Sequence, residues 1–463
     1  MSVDAVLSEC LQRECNVSKK TIVDDLNKLS NPELQQWMRE HECRQCLDHD
    51  KRRKKENVEY IARRFAQGSG RLMSDPNTFR AVTDFMTQED LGRLTGSSQT
   101  LHGRVDPILI GRRMWGPEVL DWPKDRRDLV KRMWIDEMYR PLERGELPAA
   151  LTHLRFGPDE TLAPYVLPPS LTHLTFGDGF DRPLVPDVLP PSLTHLTFGD
   201  GFNLPLVLDV LPPSLTHLTF GDSFDHSLAP NVLPPSLLRL SFGENFDKPL
   251  EPNVFPPSLV SLRFNLLFDQ PLEPDVLPPS LVYLTFGGYF DQLLTPNVLP
   301  PSLTHLTFGE YFNRPLAPNV LPPSLTHLTF YGLFDHSIPS NVLPPSLTHL
   351  TFGEYFNRPL APNVLPPSLT HLRFGDTFNN PLVIDVLPPS LTHLTFGDSF
   401  NHVLTPNVLP PSLTHLIFGR YFERRTLEPT VLPPSLTHLT FRHFGRMPTT
   451  ILSPDLFFPD NYE

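Results

Sequence analysis

The stretch Leu167–Gly177, LPPSLTHLTFG, decides the fold of this 463-residue chain. Its last eight residues return unchanged at Ser192–Gly199, Ser214–Gly221, Ser302–Gly309, Ser346–Gly353 and Ser390–Gly397. Marking the first Leu (once Phe255) of the unit gives positions 147, 167, 189, 211, 233, 255, 277, 299, 321, 343, 365, 387, 409 and 432. The step is 22 residues from 167 to 409, 20 before it and 23 after it. A fixed period of this size is the mark of a solenoid, in which each unit buries its apolar side against its neighbours.

Within the unit Leu171 is followed by Leu174 and Phe176, whose alternation with polar residues predicts a short strand with one buried face. Phe180, Leu184, Val188 and Leu189 supply further anchors. No segment is long enough, or free enough of Pro and Gly, to form a helix. The chain holds 55 prolines, and Pro190-Pro191 fall just before a strand, where the missing N–H costs little and a fixed φ stiffens the turn. The Asn or Asp after Phe180 and before Val188 are expected to serve as local turn residues. Stacked units form a parallel sheet, and thirteen rungs about 4.8 Å apart span roughly 60 Å.

The LPPSLTHLTFG core and the F-[ND]-x-P-L element resemble the FNIP repeat, a relative of the leucine-rich repeats found in amoebae and their large DNA viruses. The resemblance covers residues 147–442, with local departures at Phe255, Asn265 and Tyr331. It implies a leucine-rich-repeat-like parallel β-solenoid. The fold class expected for the whole chain is α+β multidomain, a small α-helical N-terminal region followed by that solenoid of 22-residue repeats. The expected boundaries are a helical region at 1–70, a further helical segment with the solenoid cap at 71–146, the repeats at 147–442, and a cap or tail at 443–463.

Three features stand out before the repeats. Residues 29–65 read as a helix–loop–helix similar to the SAP hairpin, with a basic run at Lys51–Lys55, and this keeps a DNA-associated role as an alternative. Cys10, Cys15, Cys43 and Cys46 are the only cysteines, and four thiolates could hold a zinc ion. Both cysteine pairs also fall in segments that read as helix, so no cofactor is required. Residues 75–105 are similar to the F-box: Phe79, Val82, Phe85 and Met86 line one helical face, followed by Asp90, Leu91, Leu94 and Leu101. The resemblance implies docking of these residues on the Skp subunit of a cullin–RING ubiquitin ligase. Residues 106–146, with Trp115, Trp122 and Trp134, are expected to form a short helical linker capping the first rung.

Composition bounds the function. Four cysteines suit a reducing, intracellular compartment, the cytoplasm, of a host cell where the source is viral. No apolar run is long enough for a membrane helix. Residues 1–150 carry 26 Lys and Arg against 25 Asp and Glu, whereas the remainder carries 13 against 27. That excess of acid argues against nucleic acid as the partner of the repeats. No phosphate-binding loop, dinucleotide fingerprint, HExxH or GxSxG occurs, so no catalytic residues are assigned.

The recurring histidine occupies the outward position of eleven units, at 153, 173, 195, 217, 305, 327, 349, 371, 393, 415 and 438. It reads first as a polar face of the sheet, and metal clamping or pH sensing are further readings. The identical units Leu299–Val320 and Leu343–Val364 point to recent duplication. The column is interrupted at Arg239, Ser261 and Tyr283, with Arg263 two residues after the serine. Arginine and tyrosine on an exposed face are types enriched in binding hot spots. The expected function is therefore a non-enzymatic adaptor, the solenoid holding an unidentified target protein through Arg239, Ser261, Arg263 and Tyr283. A plain repeat scaffold without a ligase role is the alternative.

Overall fold

A computed structural model describes residues 114–136, 140–157, 159–423, 427–443 and 446–451. The SAP-like hairpin, the four cysteines and the F-box-like segment lie outside these residues. Among the described residues, seventeen strands form one sheet: β1 (Met114–Trp115), β2 (Arg132–Ile135), β3 (His153–Phe156), β4 (His173–Phe176), β5 (His195–Thr197), β6 (His217–Thr219), β7 (Arg239–Ser241), β8 (Ser261–Arg263) and β9 (Tyr283–Thr285). They continue as β10 (His305–Phe308), β11 (His327–Phe330), β12 (His349–Thr351), β13 (His371–Arg373), β14 (His393–Thr395), β15 (His415–Phe418), β16 (His438–His443) and β17 (Arg446–Ile451). Each pairs with the next in chain order, and from β3 to β16 equivalent repeat positions face each other, as in His173↔His195 and Leu174↔Leu196.

The return path is a succession of turns, each encoded by a short motif. In PPSL, Leu193 N–H donates to the carbonyl of Pro190 at 3.0 Å, which places Pro191 at the second position of a β-turn, where its fixed φ fits. In VPDV, Val188 N–H donates to Val185 O, and Asp187 has φ 67°. Position i+2 of a type II turn requires a positive φ, and Asn or Asp tolerates it best after Gly. Asn or Asp fills this place in every rung from Asp187 to Asn407, and Tyr165, with φ 63°, holds it one rung earlier. Gly243 closes its strand against the preceding rung, and a Cβ there would run into the carbonyl oxygen of Gly221.

The interior is made of columns. Phe176 and Phe180 stack at 4.0 Å within a rung, and each stacks on its counterpart in the next rung, at 5.5 Å (Phe198) and 6.2 Å (Phe202). Leu171, Leu174, Leu184, Val188 and Leu189 are buried with them. Two polar columns lock the rungs together. Ser192 Oγ donates to Leu171 O at 2.7 Å, and the same bond recurs along the repeats. The Asp or Asn after the second Phe accepts a backbone N–H from the next rung, as in Asn203 N–H to Asp181 Oδ1 at 3.0 Å. This residue is thus an inter-rung ladder, not the local turn residue expected from its type.

The N-terminal end of the sheet differs from the expectation. The sheet begins before the repeats: β1 pairs with β2, and β2 pairs with β3 in register, Met133 against Leu154 and Ile135 against Phe156. Where a helical linker is expected, the described residues hold a 3-10 turn (Pro117–Asp121) and one helical turn, α1 (Lys124–Arg127), beside two strands. Alternation in Arg132–Ile135, exposed then buried, makes this segment a rung of its own. At the other end β17 runs antiparallel to β16 and covers the edge that a further repeat would use.

Candidate functional site

Three columns of side chains face outward from the sheet, represented by Thr172, His173 and Thr175. The histidines of β3–β6 stack ring on ring with centroids 4.1–4.2 Å apart, and those of β10–β16 do the same. Each ring is fixed by the threonine before it. Thr172 Oγ1 lies 3.0 Å from Thr152 O of the preceding rung and 2.9 Å from His173 Nδ1. The hydroxyl has one hydrogen, and the carbonyl can only accept. Both short contacts hold a proton only if the hydroxyl donates to the carbonyl and Nδ1–H donates to the hydroxyl. The imidazole is therefore the Nδ1–H tautomer, with Nε2 unprotonated. Nitrogen NMR of ring-labelled protein at pH 7.5 should show Nδ1 protonated in the column, and Thr348→Val should abolish that pattern at His349 alone. A column of Nε2–H tautomers in the parent protein would contradict the assignment.

The same stacking lowers basicity. His173 is pushed down to about 4, first by burial and then by the neighbouring His153, His195, His217 and Arg132. His217, next to Arg239, and His349, inside the longer stack, are also lowered, again chiefly by burial. Among the described residues, no group of three or more His, Cys, Asp or Glu converges on a point where a metal could sit. Parallel rings present their nitrogens side by side, and this does not suit a tetrahedral ion.

The interruption is wider than the histidine column. On β7, β8 and β9 the preceding threonine is also gone, replaced by Leu238, Val260 and Val282. Thr and His are thus present together in eleven units and absent together in three, as their hydrogen bond requires. A third column changes at the same place. The carboxylates Asp178, Asp200, Asp222 and Glu244 that follow the strands, the last on the rung of Arg239, give way to Leu266 and Gly288 on the next two rungs, resume at Glu310 and are missing again at Gly332. Arg239, Arg263 and Tyr283 are exposed, and Ser261 lies between the first and last of them as a one-rung notch. Tyr283 packs on His305 at 4.5 Å and so ends the longer histidine stack. Leu238, Leu266, Leu267 and Tyr289 are exposed around this group. The co-located loss of carboxylates is not evident from the histidine column alone; it appears only when every column of the repeat is read down the chain.

Charge on the sheet face is one-sided. From β2 to β16 the three outward columns contain no Asp or Glu, but do contain Lys131, Arg132, Arg155, Arg239, Arg263 and Arg373. Basic residues on the return turns are paired: Arg182 with Asp159 at 2.9 Å, Lys248 with Asp225 at 2.6 Å, Arg314 with Asp291 at 2.9 Å and Arg358 with Asp335 at 2.8 Å. Among the described residues, the guanidinium groups of Arg239 and Arg263 have neither an ion-pair nor a hydrogen-bond partner.

Comparison with known proteins agrees with this geometry. The FNIP Repeat family matches successive segments from 140–179 to 400–444. The viral protein CroV588, described as a novel circular leucine-rich-repeat structure, shares 51% identity over 68% of this chain, with a TM-score of 0.65. The chain spans about half the length of CroV588, 47% of it being covered. A chain of the Drosophila Toll–Spatzle complex, 17% identical with a TM-score of 0.52 over 67% of this chain and 46% of its own, shares the fold. Comparison with curated proteins returns no match.

Proposed function

Since the chain belongs to the FNIP repeat family, we propose that it is a non-enzymatic interaction scaffold whose protein partner docks across β7–β9. One observation carries this reading: three adjacent rungs lose the histidine and the threonine together, and two of them, those of Arg263 and Tyr283, lack the carboxylate as well. In their place are two unpaired arginines and an exposed tyrosine, on a scaffold that is otherwise periodic. Exposed side chains here gain no stability from the fold, while Arg and Tyr are suited to a desolvated contact. Among the described residues no helix is long and apolar enough to cross a membrane.

A photo-crosslinking residue at position 283 should capture a defined partner, and one at position 293, an exposed site on the return turns, should not. The triple variant Arg239→Ala, Arg263→Ala, Tyr283→Ala should lose that capture while keeping its thermal midpoint. Equal capture at both positions would remove the sheet-face reading.

The finer reading makes the scaffold an adaptor. Its F-box-like segment, with Phe79, Val82, Phe85, Met86, Asp90, Leu91, Leu94 and Leu101, would dock Skp and bring the bound target to a ubiquitin ligase. The gain would come from effective concentration and needs no chemistry in the solenoid. The sequence match at 75–105 in the same chain supports it. Skp and cullin should co-purify with the full chain and not with a chain lacking 75–105; their absence from both would leave the plain scaffold.

A further inference from the structure

We infer that the β7–β9 surface takes a short extended segment of protein in which carboxylates are flanked by apolar side chains. This rests on the docking reading above and goes beyond it by naming the chemistry of the occupant. Charge complementarity sets the polar part. Arg239 and Arg263 are exposed, stand on adjacent rungs, and have no carboxylate partner among the described residues. The outward columns offer no acid to neutralise them, and at the rungs of Arg263 and Tyr283 the acidic border is missing as well. A negatively charged side chain reaching this place meets two guanidinium groups, and on the rungs of Arg263 and Tyr283 no opposing carboxylate.

The order of residues along the strands sets the apolar part. Going up the face one meets Leu238, then Arg239 with Tyr283 across the notch at Ser261, then Arg263, then Leu266. Apolar contacts thus lie at both ends of the strands and the cations lie between them. From β7 to β9 the surface is two rung spacings wide, roughly 10 Å. That width holds one extended chain running along the strands, its acidic side chains centred and its apolar side chains outside. A nucleic acid fits less well, because a polyanion continuing past the patch meets Asp222 and Glu244 on one side and Glu310 on the other.

The test is selection from a random twelve-residue peptide library displayed on phage, using the immobilised full chain. Selected sequences should be rich in Asp and Glu flanked by Leu, Phe or Tyr. Synthetic copies should bind roughly tenfold more weakly when Asp and Glu become Asn and Gln, a change of about 1.4 kcal/mol. They should lose affinity equally to Arg239→Ala/Arg263→Ala. Repeating the selection on Arg239→Glu/Arg263→Glu should yield basic sequences, and this reversal keeps the test decisive even where one variant is less stable. No selected peptides, peptides without acidic enrichment, peptides that bind the reversed variant equally well, or binding of single-stranded DNA lost in the same variants would each overturn the inference. A partner crosslinked at 283 by a neutral segment would overturn it too, while leaving the docking reading intact.

Discussion

Replacing Phe246 with alanine is expected to lower the stability of the chain by about 3–5 kcal/mol. The side chain is fully buried, and its ring touches three rungs. It stacks on Phe242 at 3.9 Å within its own rung, and on Phe224 and Phe268 of the two neighbours at 6.1 Å each. Deleting it removes the transfer energy of one phenyl ring and opens a void in a column that is filled on both sides. In a solenoid, stability is approximately the sum of rung terms and nearest-neighbour terms, so one central lesion weakens two interfaces at once. Unfolding of the variant in urea should therefore begin at a lower concentration and split into two steps, where the parent chain unfolds over a narrower range. Val403→Ala, at a 61% exposed position on a return turn, should change stability by no more than about 0.5 kcal/mol. If the two substitutions cost the same, the phenylalanine columns are not the element that holds successive rungs together.

The repeat was legible because its apolar residues must recur to bury one another. The period, the strand at Leu174 and Phe176, and the anchors Phe180, Leu184 and Val188 all follow from that requirement. Polar residues were less legible, because the same residue type can bond within a turn or between rungs. Asp181 illustrates the difficulty: its composition suggests a local turn, and only the stacking of coils brings the backbone of Asn203 within 3.0 Å of it. The first rungs were missed for another reason. Met114–Ile135 shares no motif with the repeat, yet Met133 and Ile135 fall in register beneath Leu154 and Phe156 and close the end of the core. The candidate surface was half legible. Arg239, Ser261, Arg263 and Tyr283 were visible as breaks in one column, whereas the matching loss of threonine and carboxylate acquires meaning only once the hydrogen bonds of Thr172 show why His and Thr depart together.

Lowering the pH from 7 to about 5 should destabilise the folded chain more steeply than its carboxylates alone would dictate. In the fold, burial and stacking hold His173 at about 4 and hold His195, His217, His327, His349, His371 and His393 below their ordinary value of about 6.5. A group with a depressed folded value binds its proton more readily in the unfolded chain. Stability from these histidines is therefore fully present above pH 6.5 and is lost as the pH falls toward the folded values. The added proton goes to Nε2, since Nδ1 already carries one, and the charged ring faces similar rings 4.1–4.2 Å along the stack. No carboxylate in the outward columns offsets it, and Arg132 and Arg239 add to it beside His153 and His217. Protonation of neighbours should thus be mutually inhibited, and the titration should be broad. Each extra proton taken up on unfolding adds about 1.4 kcal/mol per pH unit to the slope of stability against pH. Measured by urea unfolding between pH 7 and 5, where most carboxylates remain ionised, that slope should correspond to several protons. Replacing His327, His349 and His371 together with Asn should make it shallower, because three interior members of the longer stack no longer titrate. An unchanged slope in that variant would mean that the stacked imidazoles carry no such linkage, and that the acid sensitivity of the chain lies elsewhere.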